Sequence, residues 1–382
     1  MWSCFWAYRL VLTNIFSGIS YPALNYIYAM SFKHDFYFLL LIIVSICGSC
    51  KNSAKEDPLA FVPPLFPAEI EVTPRYLDVD FITGEAMDIK LKDTVLLVRS
   101  YDGDRFIQVF DKRNGKRLSS MITRGRGPGE LLAIQSVYVQ KDTIYVYSAM
   151  DGSLYKYFSD SSYCASMPDD IVSFGANRTL IYAYPFKNKY LGLSSNTKTR
   201  IIVFDEYGIR ESEYTKYPDF TDLGYDHPIV LRNLFMGSQR LNIKPDNTKF
   251  ALTNSRGTTL EIFSLAGDTV SLHKEKRFYP PKVKIIDKNY QLESLPEQIS
   301  GFWDITSSDN YIYTAFCGDM VKDYSNSAHY VYVFDWDGNP IKSYKIKGGM
   351  RRITIDSENR KIYFSAKDAE GGDIFGYFDI LE

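Results

Sequence analysis

Arginine dominates the side chains of this sequence that could do chemistry. Arg124, Arg126, Arg178, Arg240, Arg351 and Arg352 lie in segments that lead into strand-like stretches. Lys90, Lys92, Lys141, Lys187, Lys189, Lys244 and Lys361 instead occupy polar turns. A guanidinium presents a planar fork of donors that matches carboxylate or phosphate, so arginines on one face would form an anion-binding mouth. The same arginines could instead brace loops by pairing with Asp88, Glu130 or Asp304. Glu130 closes Arg124-Gly125-Arg126-Gly127-Pro128-Gly129-Glu130. Glycines there open backbone angles denied to other residues, and the proline stiffens the turn. Such a loop either shapes a connection or cradles an anion with its amides. Without a P-loop lysine or a following helix it is no nucleotide fingerprint.

Catalytic patterns are mostly missing. His34, His227, His273 and His329 lie far apart, and neither H-E-x-x-H nor G-x-S-x-G occurs. Ser153/Lys156 and Ser271/Lys274 match a Ser–Lys spacing but fall within predicted strands. Asp335-Trp336-Asp337-Gly338-Asn339 lacks the terminal Glu of a calcium loop and reads as a hairpin turn. Asp88, Asn242 and Asp304 could offer oxygen ligands to a metal, the basis of an alternative reading as a metal-dependent lyase or lactonase. Neighbouring arginines would repel a divalent cation. No catalytic residue, metal ligand or cofactor is therefore assigned.

Composition narrows the class further. The 44 Lys+Arg and 46 Asp+Glu leave a net charge of −2, which excludes an electrostatic nucleic-acid binder. At 45% hydrophobic and 15% aromatic the chain can bury a sizeable core. Five cysteines cannot build a disulfide scaffold, and Cys164 and Cys317 fall in separate repeats, which predicts two unpaired thiols.

The elements that would position these residues repeat. A β-rich strand recurs with its third residue at 95, 144, 190, 250, 312 and 362, at spacings of 49, 46, 60, 62 and 50. A third strand ends in Val109-Phe110-Asp111, Val203-Phe204-Asp205, Ile262-Phe263-Ser264 or Val333-Phe334-Asp335, each followed by a glycine turn. No sustained helical period appears after Cys50. Six such units predict an all-β, six-bladed propeller over residues 67–382. The sixth unit lacks an outer strand, which residues 69–72 or 76–81 could supply to close the ring and cover its edge. Insertions at 217–237 and 279–301, with the loop at 316–329, bring Phe220, Tyr225, Phe235, Tyr290, Phe302, Trp303 and Tyr324 to the loop face. Aromatics beside arginines there suit a binding surface.

The N-terminus carries an address. Residues 36–46 (FYFLLLIIVSI) form an apolar run too short to span a membrane and suited to a signal peptide at 30–49. Gly48-Ser49-Cys50 resembles a bacterial lipobox, which implies cleavage before Cys50 and its lipidation. Residues 1–29 are either an over-extended start or an extra hydrophobic segment, and residues 50–66 read as a tether, polar at first and then proline-rich, with four prolines between Pro58 and Pro67.

The G-x-GPGE loop followed by a strand, with the upstream lipobox, resembles the TolB-like six-bladed propellers of Gram-negative lipoproteins. That resemblance implies the fold and an outer-membrane anchor, with the domain facing the periplasm or the exterior. The expected function is a lipid-anchored envelope propeller whose inter-blade loop face binds a protein partner or an anionic ligand. The candidate contacts are Arg124, Arg126, Glu130, Arg240, Trp303, Arg351 and Arg352.

Overall fold

A computed structural model describes residues 60–79, 84–100, 103–158, 163, 167–175, 179–236, 238–323 and 325–381. Cys50, the apolar run before it, Cys164, Arg178 and Tyr324 lie outside the described residues. The unit Pro58–Glu382 is a ring of six blade sheets, with a separate two-stranded ribbon (Val283–Ile285 and Leu292–Ser294) in the second insertion. Blades 1 to 6 occupy residues 86–123, 136–173, 180–214, 239–277, 302–350 and 352–379. In each, the strands run antiparallel from the channel outwards.

The second strands are Val95–Ser100, Thr143–Ser148, Lys189–Ser194, Lys249–Asn254, Tyr311–Phe316 and Lys361–Lys367, at the expected repeat positions. Each is covered on both faces by neighbouring blades, which is why they read as apolar runs rather than strict alternations. Leu97 and Val109 of blade 1 pack with Val137 and Val146 of blade 2. Leu191 and Val203 of blade 3 pack with Phe250 and Phe263 of blade 4, whose rings stack at 5.1 Å. The Phe-Asp hairpins behave as the sequence predicts. Asp335 Oδ1 accepts from the backbone N–H groups of Asp337 (2.9 Å) and Asn339 (2.8 Å), and Gly338 takes a positive φ of 79°.

Of the two candidate closing segments only the second, beginning one residue early at Arg75, supplies the outer strand of blade 6; residues 69–72 go to blade 5 instead. Strand β1 (Glu69–Val72) joins blade 5 as a fifth, parallel strand, with Ile70 opposite Tyr344. Strand β2 (Arg75–Tyr76) supplies the missing outer strand of blade 6, with Arg75 opposite Tyr377. At Gly376 a Cβ would meet the Arg75 carbonyl oxygen at 2.9 Å, so glycine is what lets β2 approach. Part of the expected tether at 50–66 is docked rather than free. Val62 N–H donates to the Arg277 carbonyl of blade 4 (2.9 Å), and Phe66 packs on Tyr332 of blade 5 at 4.5 Å. Apolar side chains among the prolines anchor it. The strap from Phe61 to Leu77 thus crosses the outer edges of blades 4, 5 and 6 in succession.

Two expectations are corrected in the insertions. The first contains a helix, α1 (Pro228–Phe235), too short to leave a sustained period in the sequence; Pro228 opens it, and His227 Nδ1 accepts from Ile229 N–H at 3.3 Å. The aromatics expected on a binding surface instead form a small core. Phe220 and Phe235 are buried with Val230, Leu234 and Val283, and Tyr217, Tyr225 and Tyr290 pack around them. Phe302 is buried in the neighbouring apolar cluster. Beneath this lobe, Arg200 of blade 3 and Glu261 of blade 4 form a fully buried ion pair, with Arg200 Nη1 2.7 Å from Glu261 Oε1.

Candidate functional site

The inner strands bring side chains from all six blades to the mouth of the central channel. Asp88 and Lys90 come from blade 1, Tyr138 from blade 2, and Tyr182 and Tyr184 from blade 3. Arg240 and Asn242 come from blade 4, Asp304 from blade 5 and Arg352 from blade 6. Repeated spacing by two residues is the strand alternation that points every second side chain to one face. Arg99 joins from the second strand of blade 1, opposite Asp88 where the inner strand shifts register. The cavity they enclose is about 50 Å³, room for a few waters or one small polar head group.

Four cations thus face two carboxylates. Lys90 Nζ lies 2.7 Å from Asp88 Oδ1. Burial pushes the Asp88 carboxyl up, but Lys90, Arg99 and Arg352 outweigh it and hold its pKa below the ordinary value. Asp304 Oδ2 accepts from Ile353 N–H at 2.9 Å; burial raises its carboxyl pKa despite Lys90 and Arg352. The guanidinium groups are less well matched. Arg352 donates to backbone carbonyls, from Nε to Met87 (2.7 Å) and from Nη1 to Arg351 (3.2 Å) and Trp303 (3.3 Å). Burial, then Arg240 beside it, bring its pKa down to about 10. Arg240 donates to its neighbour's carbonyl, Gln239 O, at 2.9 Å. Arg99 Nε is shielded from solvent and has no hydrogen-bond partner among the described residues. Among the described residues the mouth holds four cations against two carboxylates; burial disfavours the Arg240 charge, but Tyr182, Asp304, Tyr184 and Asp88 outweigh it and raise its pKa.

The profile of the family described as TolB-like 6-blade propeller-like matches residues 67–358. The chain belongs to the TolB-like propeller family. Its fold is shared with a Bacteroides fragilis protein described as exported, at 11% identity, a TM-score of 0.50, and coverage of 82% of this chain and 100% of that one. It is shared also with a Bacteroides vulgatus member of the DUF4221 family, at 11% identity, a TM-score of 0.51, and coverage of 81% and 96%. No curated protein matches the chain in sequence.

Within this TolB-like propeller the seven residues expected to contact ligand divide. Arg240 and Arg352 reach the channel mouth. Arg351 does not join them: its Nη1 pairs with Glu85 at 2.6 Å, and that bond holds the Glu85 carboxyl below its usual pKa. Trp303 donates from Nε1 to Ser300 Oγ at 2.9 Å, and its ring packs on the apolar cluster of blades 5 and 6. Arg124 and Arg126 are exposed on the loop before blade 2, with Arg124 4.7 Å above the Phe106 ring. Glu130 braces that loop from inside. Its Oε2 accepts from Gly127 N–H at 2.8 Å, and a Cβ at Gly125 would lie 1.9 Å from the same oxygen. The G-x-GPGE motif is therefore a self-braced connection.

Besides the tyrosines, two cationic channel residues were not among the expected contacts. Lys90 was grouped with the lysines of the opposite turns, but alternation with Asp88 carries it into the mouth. Arg99 left a signal: it is the charge that interrupts the otherwise buried Val95-Leu96-Leu97-Val98 run. The oxygen donors proposed for a metal are engaged elsewhere. Asn242 Oδ1 accepts from Ser307 Oγ at 2.6 Å, while Asp88 and Asp304 hold the partners given above. Among the described residues no three His, Cys, Asp or Glu side chains gather at metal-binding distance.

Proposed function

We propose that the protein is a lipid-anchored envelope propeller that binds an anionic ligand, or an acidic segment of a protein partner, at its channel mouth. One observation carries this reading: Lys90, Arg99, Arg240 and Arg352 converge on a small enclosed space with only Asp88 and Asp304 to balance them. Unpaired charge held away from water is costly unless a partner supplies the opposite sign. The anchor rests on the apolar run at 36–46 and the Gly48-Ser49-Cys50 motif. An outer-membrane location agrees with a fold neighbour described as exported. The enzyme reading is not favoured, since the available oxygen donors are committed to Lys90, Ser307 and the backbone and are crowded by cations.

The test is equilibrium binding of the mature protein to acidic peptides and acidic glycans. Each charged hydrogen bond is worth about 1.5–3 kcal/mol where water is excluded, so Arg240→Gln or Arg352→Gln should weaken binding about tenfold or more. Lys141→Gln and Lys244→Gln should leave it unchanged. Equal losses at both pairs of positions would sink the proposal. Anchoring is tested separately: Cys50→Ser should release the protein from the membrane fraction, and an unmodified wild-type mass would overturn lipidation.

A further inference from the structure

Resting on that reading of the channel mouth, we infer that the anion it receives is a phosphoryl group carrying two negative charges. Charge is the first argument. Lys90, Arg99, Arg240 and Arg352 exceed Asp88 and Asp304 by two. A phosphomonoester or inorganic phosphate carries about −1.5 to −2 near neutral pH and balances that surplus. One carboxylate or one sulfate ester would leave a buried positive charge uncompensated.

Geometry is the second. Arg99 belongs to blade 1 and Arg240 to blade 4, which stand across the six-membered ring from each other, while Arg352 enters from blade 6. A planar carboxylate turns its oxygens to one side and satisfies one guanidinium fork. A tetrahedral phosphoryl group turns its oxygens outward in several directions and can meet donors from opposite walls. Arg99, whose Nε has no hydrogen-bond partner among the described residues, adds a guanidinium from the blade 1 wall. Tyr138, Tyr182 and Tyr184 add neutral hydroxyls to the same lining.

Size is the third. A cavity of about 50 Å³ takes a head group and not a whole metabolite. Whatever carries the phosphoryl group must therefore extend outward among the inter-blade loops. Free phosphate and an esterified phosphoryl group share the required chemistry, and binding measurements separate them.

The experiment is isothermal titration of the full mature protein at pH 8 with inorganic phosphate, glycerol phosphate, acetate and succinate. Inorganic phosphate or glycerol phosphate should bind at least about tenfold more tightly than either carboxylate, as expected for one further charged hydrogen bond. Preference for glycerol phosphate would assign an esterified ligand, and preference for inorganic phosphate a free one. Arg99→Lys keeps the charge but loses the fork, and should weaken phosphate binding by a larger factor than acetate binding. Acetate or succinate binding as tightly as phosphate would overturn the phosphoryl assignment while leaving an anion site intact. No heat with any anion, together with acidic-peptide binding indifferent to Arg240→Gln, would remove both.

Discussion

Glu261→Gln should be among the most damaging single substitutions in this propeller, although it changes one atom. Glu261 and Arg200 are 2% and 1% exposed at the side chain, and Arg200 Nη1 lies 2.7 Å from Glu261 Oε1. Arg200 is also held 4.9 Å over the Phe235 ring and 5.1 Å over the Tyr217 ring, so the pair ties blades 3 and 4 to the helical lobe. Removing one partner of a buried pair strands the other charge and costs about 3–5 kcal/mol. The structure points to the lower end. Glu275 lies close enough that burial, then the Glu261 charge, raise its pKa, so it can compensate part of the Arg200 charge. With an unfolding entropy of about 2.1 cal/mol/K per residue, a loss of about 3 kcal/mol over roughly 325 residues lowers Tm by about 4–5 °C. Differential scanning calorimetry reads this directly. Replacing both partners with apolar residues, Arg200→Met with Glu261→Leu, should recover most of the loss, because neither charge is then left buried. A Glu261→Gln protein melting within about 1 °C of wild type would refute the reasoning. So would a double variant worse than the sum of its singles.

Three further outcomes follow from the geometry. Gly125→Ala places a methyl group where Glu130 Oε2 now sits, so the carboxylate swings away and its hydrogen bond to Gly127 N–H is lost, a cost of about 0.5–1.5 kcal/mol; with Glu130→Ala that bond is already absent, and strictly additive unfolding energies would contradict it. Removing the chain through Leu77 strips both β1 and β2 and exposes the outer edges of blades 5 and 6, so the shortened protein should aggregate or melt well below the full one; an unchanged melting temperature would show the closure to be dispensable. Burial pushes the Cys317 thiol up to about 11, so peptide mapping after maleimide treatment at pH 8 should find it unlabelled until the protein is unfolded in urea; rapid labelling of the folded protein would contradict its burial.

Much of the fold was legible in the amino-acid order because its determinants are local. The second strands announce themselves as apolar runs beside polar turns, and Asp335 with Gly338 writes its hairpin in five residues. Both candidate segments could be named, but not that residues 69–72 extend blade 5 while Arg75 and Tyr76 alone complete blade 6. That depends on the edge of blade 5 remaining open to a parallel strand and on Gly376 clearing space for β2. The candidate site was legible only in part, since arginines before inner strands are visible but their directions are not. Arg240 and Arg352 reach the channel, whereas Arg351, one residue away, faces Glu85 because successive strand residues point to opposite sides. Lys90 and Arg99 enter the mouth through pairing and a register shift within blade 1. The aromatics of the insertions became a core because segments some 60 residues apart in sequence fold against each other. Strand positions, turns and the address-like N-terminal pattern are thus written in neighbouring residues. The charge surplus of the channel is decided only when six blades close into a ring, because no local stretch of chain contains more than a fraction of the groups that face one another there.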